Sequence, residues 1–185
     1  MKGVLTVPNG LTALRALGIP IFMYLALSLH ADGYAVIVLI IGGATDYFDG
    51  KIARAWNQES RLGELMDPAI DRLYIAATLF VFFVRDVVPV WIIVLLVGRD
   101  LILGAVTLAM KRASIPPLKV TYLGKAATFN LLYAFPLLLL AHSKSTGATL
   151  AFIFGWSFAI WGIGLYLVTG ANYFQIGWRL IRNKK

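Results

Sequence analysis

The chain contains no cysteine, only two histidines and only nine acidic residues in 185. Without cysteine there is no disulfide and no thiolate metal site. Charged residues make up 14% of the chain, against about 25% for a soluble globular domain. What remains is 59% hydrophobic and 13% aromatic, with a mean hydropathy of +0.78. So much apolar surface cannot be hidden in one water-soluble core of this size, and the sequence reads as an all-α integral membrane protein.

Apolar stretches long enough to cross a bilayer, ~20 residues, recur near Leu11–Leu29, Tyr34–Ala53, Leu62–Val84, Val90–Met110, Val120–His142 and Leu150–Val168. They predict six transmembrane helices in one domain over 1–185, with neither internal repeat nor low-complexity tract. Residues 1–10 form a short N-terminal segment and 172–185 a basic tail whose Tyr173, Phe174 and Trp178 suit a membrane interface. The first apolar run is as long as the others and carries Arg15 near its start, so it reads as a span rather than a cleaved signal peptide. With six spans, the basic residues gather on the side of both termini; only Arg85 and Lys144 fall opposite, and Arg99 lies in mid-span. The bias places both termini in the cytoplasm, with the chain crossing the cell membrane several times. The net charge of +8 is dispersed over short loops and the tail, which fits anionic lipid headgroups and not nucleic acid.

The scarce acids are not scattered. Six of the nine lie between Asp46 and Asp71. About twelve apolar residues of the second span precede Asp46, so Asp46 and Asp49 fall at membrane depth in its cytoplasmic third. Asp67 and Asp71 fall at the matching depth of the third span. Ionisable groups there are costly and mark function by default. On a helix Asp46, Asp49, Gly50 and Ala53 share one face, as do Gly63, Asp67 and Asp71 on the next. Consecutive helices are antiparallel neighbours, so the faces can meet, and the small residues leave room beside the carboxylates. Pro68 is expected to start or kink the third helix, shifting Asp67 relative to Asp71.

Four converging carboxylates repel one another and take up protons unless cations intervene. Oxygen-only donors favour Mg²⁺, Mn²⁺ or Ca²⁺. Two such ions could hold a diphosphate and serve a displacement at phosphorus, and Arg54 could pair with a phosphate oxygen. The alternative is that the acids only form packing salt bridges with Lys51, Arg54 and Arg72. His30 and His142 lie at the outer ends of their spans, across the membrane from the acids. A general base therefore has to come from the carboxylates.

The segment DYFDGKIARAWNQESRLGELMDPAID, Asp46 to Asp71, resembles the signature of the CDP-alcohol phosphotransferases, D-x2-D-G-x2-A-R-x8-G-x3-D-x3-D, at every fixed position. A chance match is on the order of 10⁻¹⁰ per starting position at average residue frequencies. The stretch VPNGLTALR near the start resembles the family's short cytoplasmic helix, and six spans is its architecture. The resemblance implies that Asp46, Asp49, Asp67 and Asp71 bind two Mg²⁺ or Mn²⁺ ions, that Asp71 also deprotonates the acceptor hydroxyl, and that Gly50, Ala53, Arg54 and Gly63 line the CDP site. It implies a homodimer, with CDP-diacylglycerol as donor and CMP as leaving group.

For the acceptor, VTYLGKAATFNLL resembles the phosphatidylglycerol-phosphate and cardiolipin synthase branch. Glycerol-phosphate enzymes of that branch mostly read GKxKTxxQ there; Lys125 and Thr128 match, while Ala127 and Leu131 replace the lysine and glutamine. Taken whole, the chain is most similar to actinobacterial cardiolipin synthases of this fold, which favours phosphatidylglycerol over glycerol 3-phosphate. Arg112, Lys119 and Lys125, with Arg15 and Arg99, are candidates for the acceptor phosphate; the first three read equally as positive-inside residues. Arg99 faces either the cavity or a structural partner. Adjacent helix residues point different ways, so Arg99 and Asp100 each call for another partner. Two other classes share parts of the pattern. A membrane prenyltransferase also uses aspartate-bound magnesium, but carries two separated Asp-rich motifs in a longer chain. A cation channel or carrier needs acids along a through-path, whereas the outer halves here hold only Asp32 and Asp86, in loops.

Overall fold

The computed structural model describes residues 7–55, 61–119, 121–143 and 147–183, with the backbone alone at 7–9, 11, 46–55, 61–65, 67 and 68. Regular structure among the described residues is entirely helical, in the order α1 (Val7–Leu27), α2 (Asp32–Ala55), α3 (Arg61–Val84), α4 (Val90–Arg112), α5 (Tyr122–Ala141) and α6 (Ala148–Arg182). The first five helices coincide with the first five apolar stretches to within a few residues, and the sixth begins where its stretch begins. Three differences carry information. VPNGLTALR is not a separate helix, because α1 starts at Val7 and runs unbroken to Leu27. Helix α3 passes through Pro68 without a break. The last apolar run does not end near Val168, since α6 continues to Arg182 and takes most of the basic tail with it.

Burial follows the logic of a lipid solvent. Alanines such as Ala26, Ala35, Ala127 and Ala134 are wholly buried, while Leu17, Ile40, Leu101, Leu132 and Trp161 stand exposed. Without water to drive every large side chain inward, small residues take many of the helix contacts beside a few buried large ones such as Phe22 and Phe82, and many bulky residues stay on the outside. Helices α4, α5 and α6 are each long and apolar enough to cross a membrane; Thr12–Leu27 and Asp32–Thr45 are shorter apolar helical stretches. At 35 residues, α6 is about 52 Å long, well beyond the ~30 Å hydrocarbon core.

The chain forms two compact units, one of residues 1–87 and 139–148 and the other of 88–138 and 149–185. In the first, α1 packs against both α2 and α3. Its end away from the aspartates is closed by a buried ion pair: Arg85, at the end of α3, donates to both carboxylate oxygens of Asp32 in the first turn of α2 and to the carbonyl of Ala26 in α1 at 3.1 Å. His30, Asp86 and Ser114, at the ends of α1, α3 and α4, all adopt positive φ near 50°. Each is followed by an N–H that reaches back past the helix end, Ala31 to Leu25 over six residues and Val87 to Phe82 and Ile115 to Met110 over five, which satisfies carbonyls that a helix end leaves open.

In the second unit a stripe of glycines on α6 sets the packing. A β-carbon on Gly155 would stand 3.1 Å from the Leu138 backbone nitrogen and one on Gly162 3.0 Å from the Leu131 side chain, both on α5. One on Gly177 would stand 2.5 Å from Val106 on α4. The upper half of α6 thus lies close on α5 and its lower half close on α4.

Candidate active site

The contact between Gly42 and Tyr74 fixes the register of the motif. A β-carbon on Gly42 would lie 3.0 Å from the Tyr74 hydroxyl, so α2 and α3 approach each other there. Thirteen residues separate Gly42 from the end of α2 at Ala55, and thirteen separate the start of α3 at Arg61 from Tyr74. Were the two helices parallel, Ala55 and Arg61 would be about 39 Å apart at 1.5 Å per residue. The link over 56–60 offers six steps, about 22 Å at most. The helices are therefore antiparallel, and the motif folds back on itself at that link. Counting from the Gly42–Tyr74 contact, Asp46 (four on) lies level with Asp71 (three back), and Asp49 lies level with Asp67, both seven away. Ala53 and Gly63 are level again, eleven away, with Gly50 and Arg54 beside them. Counted along the two helices, the four aspartates fall at two levels about one helical turn apart.

Of these residues, Asp71 has its side chain described. Its carboxylate is half exposed, at 52%, and its Oδ1 lies 3.5 Å from the guanidinium of Arg15, whose side chain is 1% exposed. One turn further along α3, the Tyr74 hydroxyl donates to the Arg15 carbonyl at 2.9 Å. The ring reaches this position because Gly18 on α1 and Gly42 on α2 offer no side chain: the hydroxyl leaves no room for a β-carbon on Gly18. Arg15 is thus tied to α3 twice, by its backbone and by its charge. Sequence reasoning placed Arg15 among the acceptor-phosphate residues and missed Tyr74. The available signal was a pair of glycines in two apolar spans and a tyrosine one turn after the last motif aspartate.

The other basic candidates belong to the second unit. Arg112 ends α4, Lys119 lies in the connection and Lys125 in the first turn of α5; all three are exposed. The Lys125 ammonium lies 5.8 Å from the Tyr122 ring centre. The start of α5 is held by Tyr173 of α6, whose hydroxyl accepts from the Thr121 N–H at 2.7 Å. Arg99 and Asp100 each have the further partner their spacing called for, and they also meet each other. The Arg99 guanidinium bridges back to Asp100 at 3.0 Å, because a long side chain can double over its own turn. Both also share one partner on α6: Tyr166 donates to Asp100 at 2.5 Å, and Arg99 lies over its ring at 3.9 Å. Gly170 gives the Arg99 stem its space, since a β-carbon there would stand 2.9 Å from Nε.

Among residues with described side chains, no group of three or more acids or histidines comes together, and Asp46, Asp49 and Asp67 lie outside that set. The donor chemistry nonetheless suits a hard divalent cation: carboxylate oxygens only, at two levels along the helices, with glycine and alanine on the same faces. At the other end of this unit, Asp32 is committed to Arg85, which leaves the motif acids as its concentrated negative charge.

Residues 5–164 match the family described as CDP-alcohol phosphatidyltransferase. The cardiolipin synthase (CMP-forming) of Streptomyces coelicolor is 47% identical over 184 residues, covering 97% of this chain and 86% of that protein. A protein of Mycobacterium tuberculosis provisionally named a cardiolipin synthase is 44% identical over 164 residues, 89% of this chain and 78% of its own length. The CDP-diacylglycerol–glycerol-3-phosphate 3-phosphatidyltransferase of Rickettsia felis is 30% identical over 174 residues, 91% of this chain and 93% of that protein. The folded-back aspartate motif and a match spanning nearly the whole helical domain lead to one conclusion: this chain belongs to the CDP-alcohol phosphatidyltransferase family.

Proposed function

We propose that the protein is a cardiolipin synthase, transferring the phosphatidyl group of CDP-diacylglycerol to phosphatidylglycerol with release of CMP. The observation that carries the acceptor is the 47% identity to a CMP-forming cardiolipin synthase across 97% of this chain, against 30% to a glycerol-3-phosphate enzyme. Local chemistry supports the choice. The positions where glycerol-phosphate enzymes of this branch mostly carry lysine and glutamine are here Ala127 and Leu131, both buried, and Leu131 packs toward Gly162. A free glycerol 3-phosphate brings a dianion that must be desolvated beside four aspartates, and burying it is costly without several cations. Phosphatidylglycerol brings a single charge on a diester and leaves its acyl chains in lipid.

In this reading the terminal glycerol hydroxyl of phosphatidylglycerol attacks the phosphorus that bears the diacylglycerol. The new O–P bond forms as the bond to the CMP oxygen breaks, and the hydroxyl proton passes to Asp71. Gly50, Ala53 and Gly63 leave room for the CDP group, and Arg54 pairs with a phosphate oxygen. Arg112, Lys119 and Lys125, all exposed, supply positive charge for the acceptor phosphate, while Arg99 is committed to Asp100 and Tyr166. Asp46, Asp49, Asp67 and Asp71 would hold two Mg²⁺ or Mn²⁺ ions, whose chemistry is to neutralise the diphosphate and make the acceptor hydroxyl more acidic. Residues 1–185 act as one domain with six spans and both termini cytoplasmic, with the basic end of α6 at the headgroup level, and the enzyme works as a homodimer in the cell membrane.

Purified protein in detergent, given CDP-diacylglycerol with phosphatidylglycerol and glycerol 3-phosphate together, should yield cardiolipin and CMP. Phosphatidylglycerol phosphate as the main product would sink the cardiolipin reading.

A further inference from the structure

We propose that Arg15 is a positioning residue that holds Asp71 in place for proton abstraction, with Tyr74 fixing the register of α1 on α3 that lets it do so. The proposal rests on the reading of Asp71 as the base. A guanidinium that is 1% exposed, 3.5 Å from the Asp71 carboxylate, is poorly disposed to meet a lipid headgroup arriving from outside the helix pack. Its burial is costly unless its charge is met, and the Asp71 carboxylate meets it. Asp71, by contrast, keeps 52% of its side chain open, so one partner is inside the protein and the reacting group faces outward.

Arg15 itself is held by something more rigid than an ion pair. The Tyr74 hydroxyl donates to its carbonyl at 2.9 Å and sits in a notch between Gly18, where a β-carbon would collide with it, and Gly42, where one would crowd it. Tyr74 and Asp71 are three residues apart on α3, on one face. Any slide or rotation of α1 that moved the Arg15 guanidinium would have to break the tyrosine hydrogen bond as well. A base misplaced by about 1 Å can cost 10²-fold in rate, so a doubly anchored partner is a means of keeping the carboxylate within reach of the acceptor hydroxyl.

The test is a kinetic cycle on detergent-purified full chain, following CMP release with CDP-diacylglycerol and phosphatidylglycerol. Arg15→Gln is expected to lower kcat roughly tenfold or more with both KM values within about threefold, and Arg15→Lys to recover most of the loss. In an Asp71→Asn background Arg15→Gln should add less than about twofold, since it acts through that carboxylate. Without metal, in chelator, the thermal shifts of Arg15→Gln and Asp71→Asn should be non-additive. A raised KM for phosphatidylglycerol at full kcat, or independent multiplicative losses, would overturn the proposal and return Arg15 to acceptor binding. Should Arg15→Gln not fold, Tyr74→Phe carries the same test: it keeps the ring in its notch and is expected to lower kcat about two- to fivefold at unchanged KM, whereas unchanged kcat overturns the proposal. Failure of the underlying reading looks different, because Asp71→Asn itself would then turn over like the parent.

Discussion

The hydroxyl of Tyr74 stands too close to Gly18 to leave room for a β-carbon there, so the aromatic side chain of α3 seats against the backbone of α1. Adding one methyl there has to displace a ring held by its own hydrogen bond to Arg15. Gly18→Ala is expected to cost about 1–3 kcal/mol of stability and to reduce CMP release by disturbing Arg15. Gly43→Ala, on α2 with nothing within 4 Å of a new β-carbon, should leave both unchanged or raise stability by a few tenths of a kcal/mol. Thermal unfolding in detergent, read beside turnover, compares the two; equal shifts would show that the notch is not tight.

Asp32 and Arg85 make a buried bidentate pair that ties together three helices at their ends away from the motif. Removing one partner strands the other's charge, so Arg85→Gln or Asp32→Leu should each cost about 3–5 kcal/mol. Replacing both with apolar residues, Asp32→Leu with Arg85→Met, should recover a large part of that loss. Because the pair stands at the far end of the unit from the motif, CMP release per folded molecule should survive. Additive losses in the double variant would show that the pair is not coupled.

Metal binding separates the proposed ligands from bystanders. Asp46→Ala and Asp67→Ala are expected to weaken Mn²⁺ binding to purified protein by about 10- to 100-fold, measured by calorimetry without substrate. Asp100→Ala, in the Arg99–Tyr166 cluster, should not change it. An unaltered titration in both motif variants would count against a two-metal site.

The absence of native cysteine makes topology directly readable. Gly33→Cys and Gly147→Cys, at exposed positions with open space around a new β-carbon, should react with impermeant thiol reagent only from outside intact cells. Lys119→Cys and Asn183→Cys should react only after permeabilisation. Labelling of Gly147→Cys and Asn183→Cys from the same face would overturn six spans.

The sequence by itself determined the helices, their order and the identity of the motif. Each span is long enough to satisfy its own backbone hydrogen bonds, and lipid leaves an isolated segment no other choice. The aspartate spacing put four carboxylates on two helical faces before any contact was known. What the sequence did not reveal is where side chains from different helices meet. Arg15, by its sequence position a candidate for the acceptor phosphate, lies buried beside Asp71; Arg85 and Asp32, 53 residues apart, looked like loop charges and proved to be one ion pair. Gly18 and Gly42 carried no periodic signal, because a missing side chain matters only when another helix brings a tyrosine to the gap. Span positions follow from hydropathy along one chain, whereas pair identities depend on helix rotation and register. In lipid these are set by small-residue contacts, which a single hydropathy pattern does not encode and only tertiary packing decides.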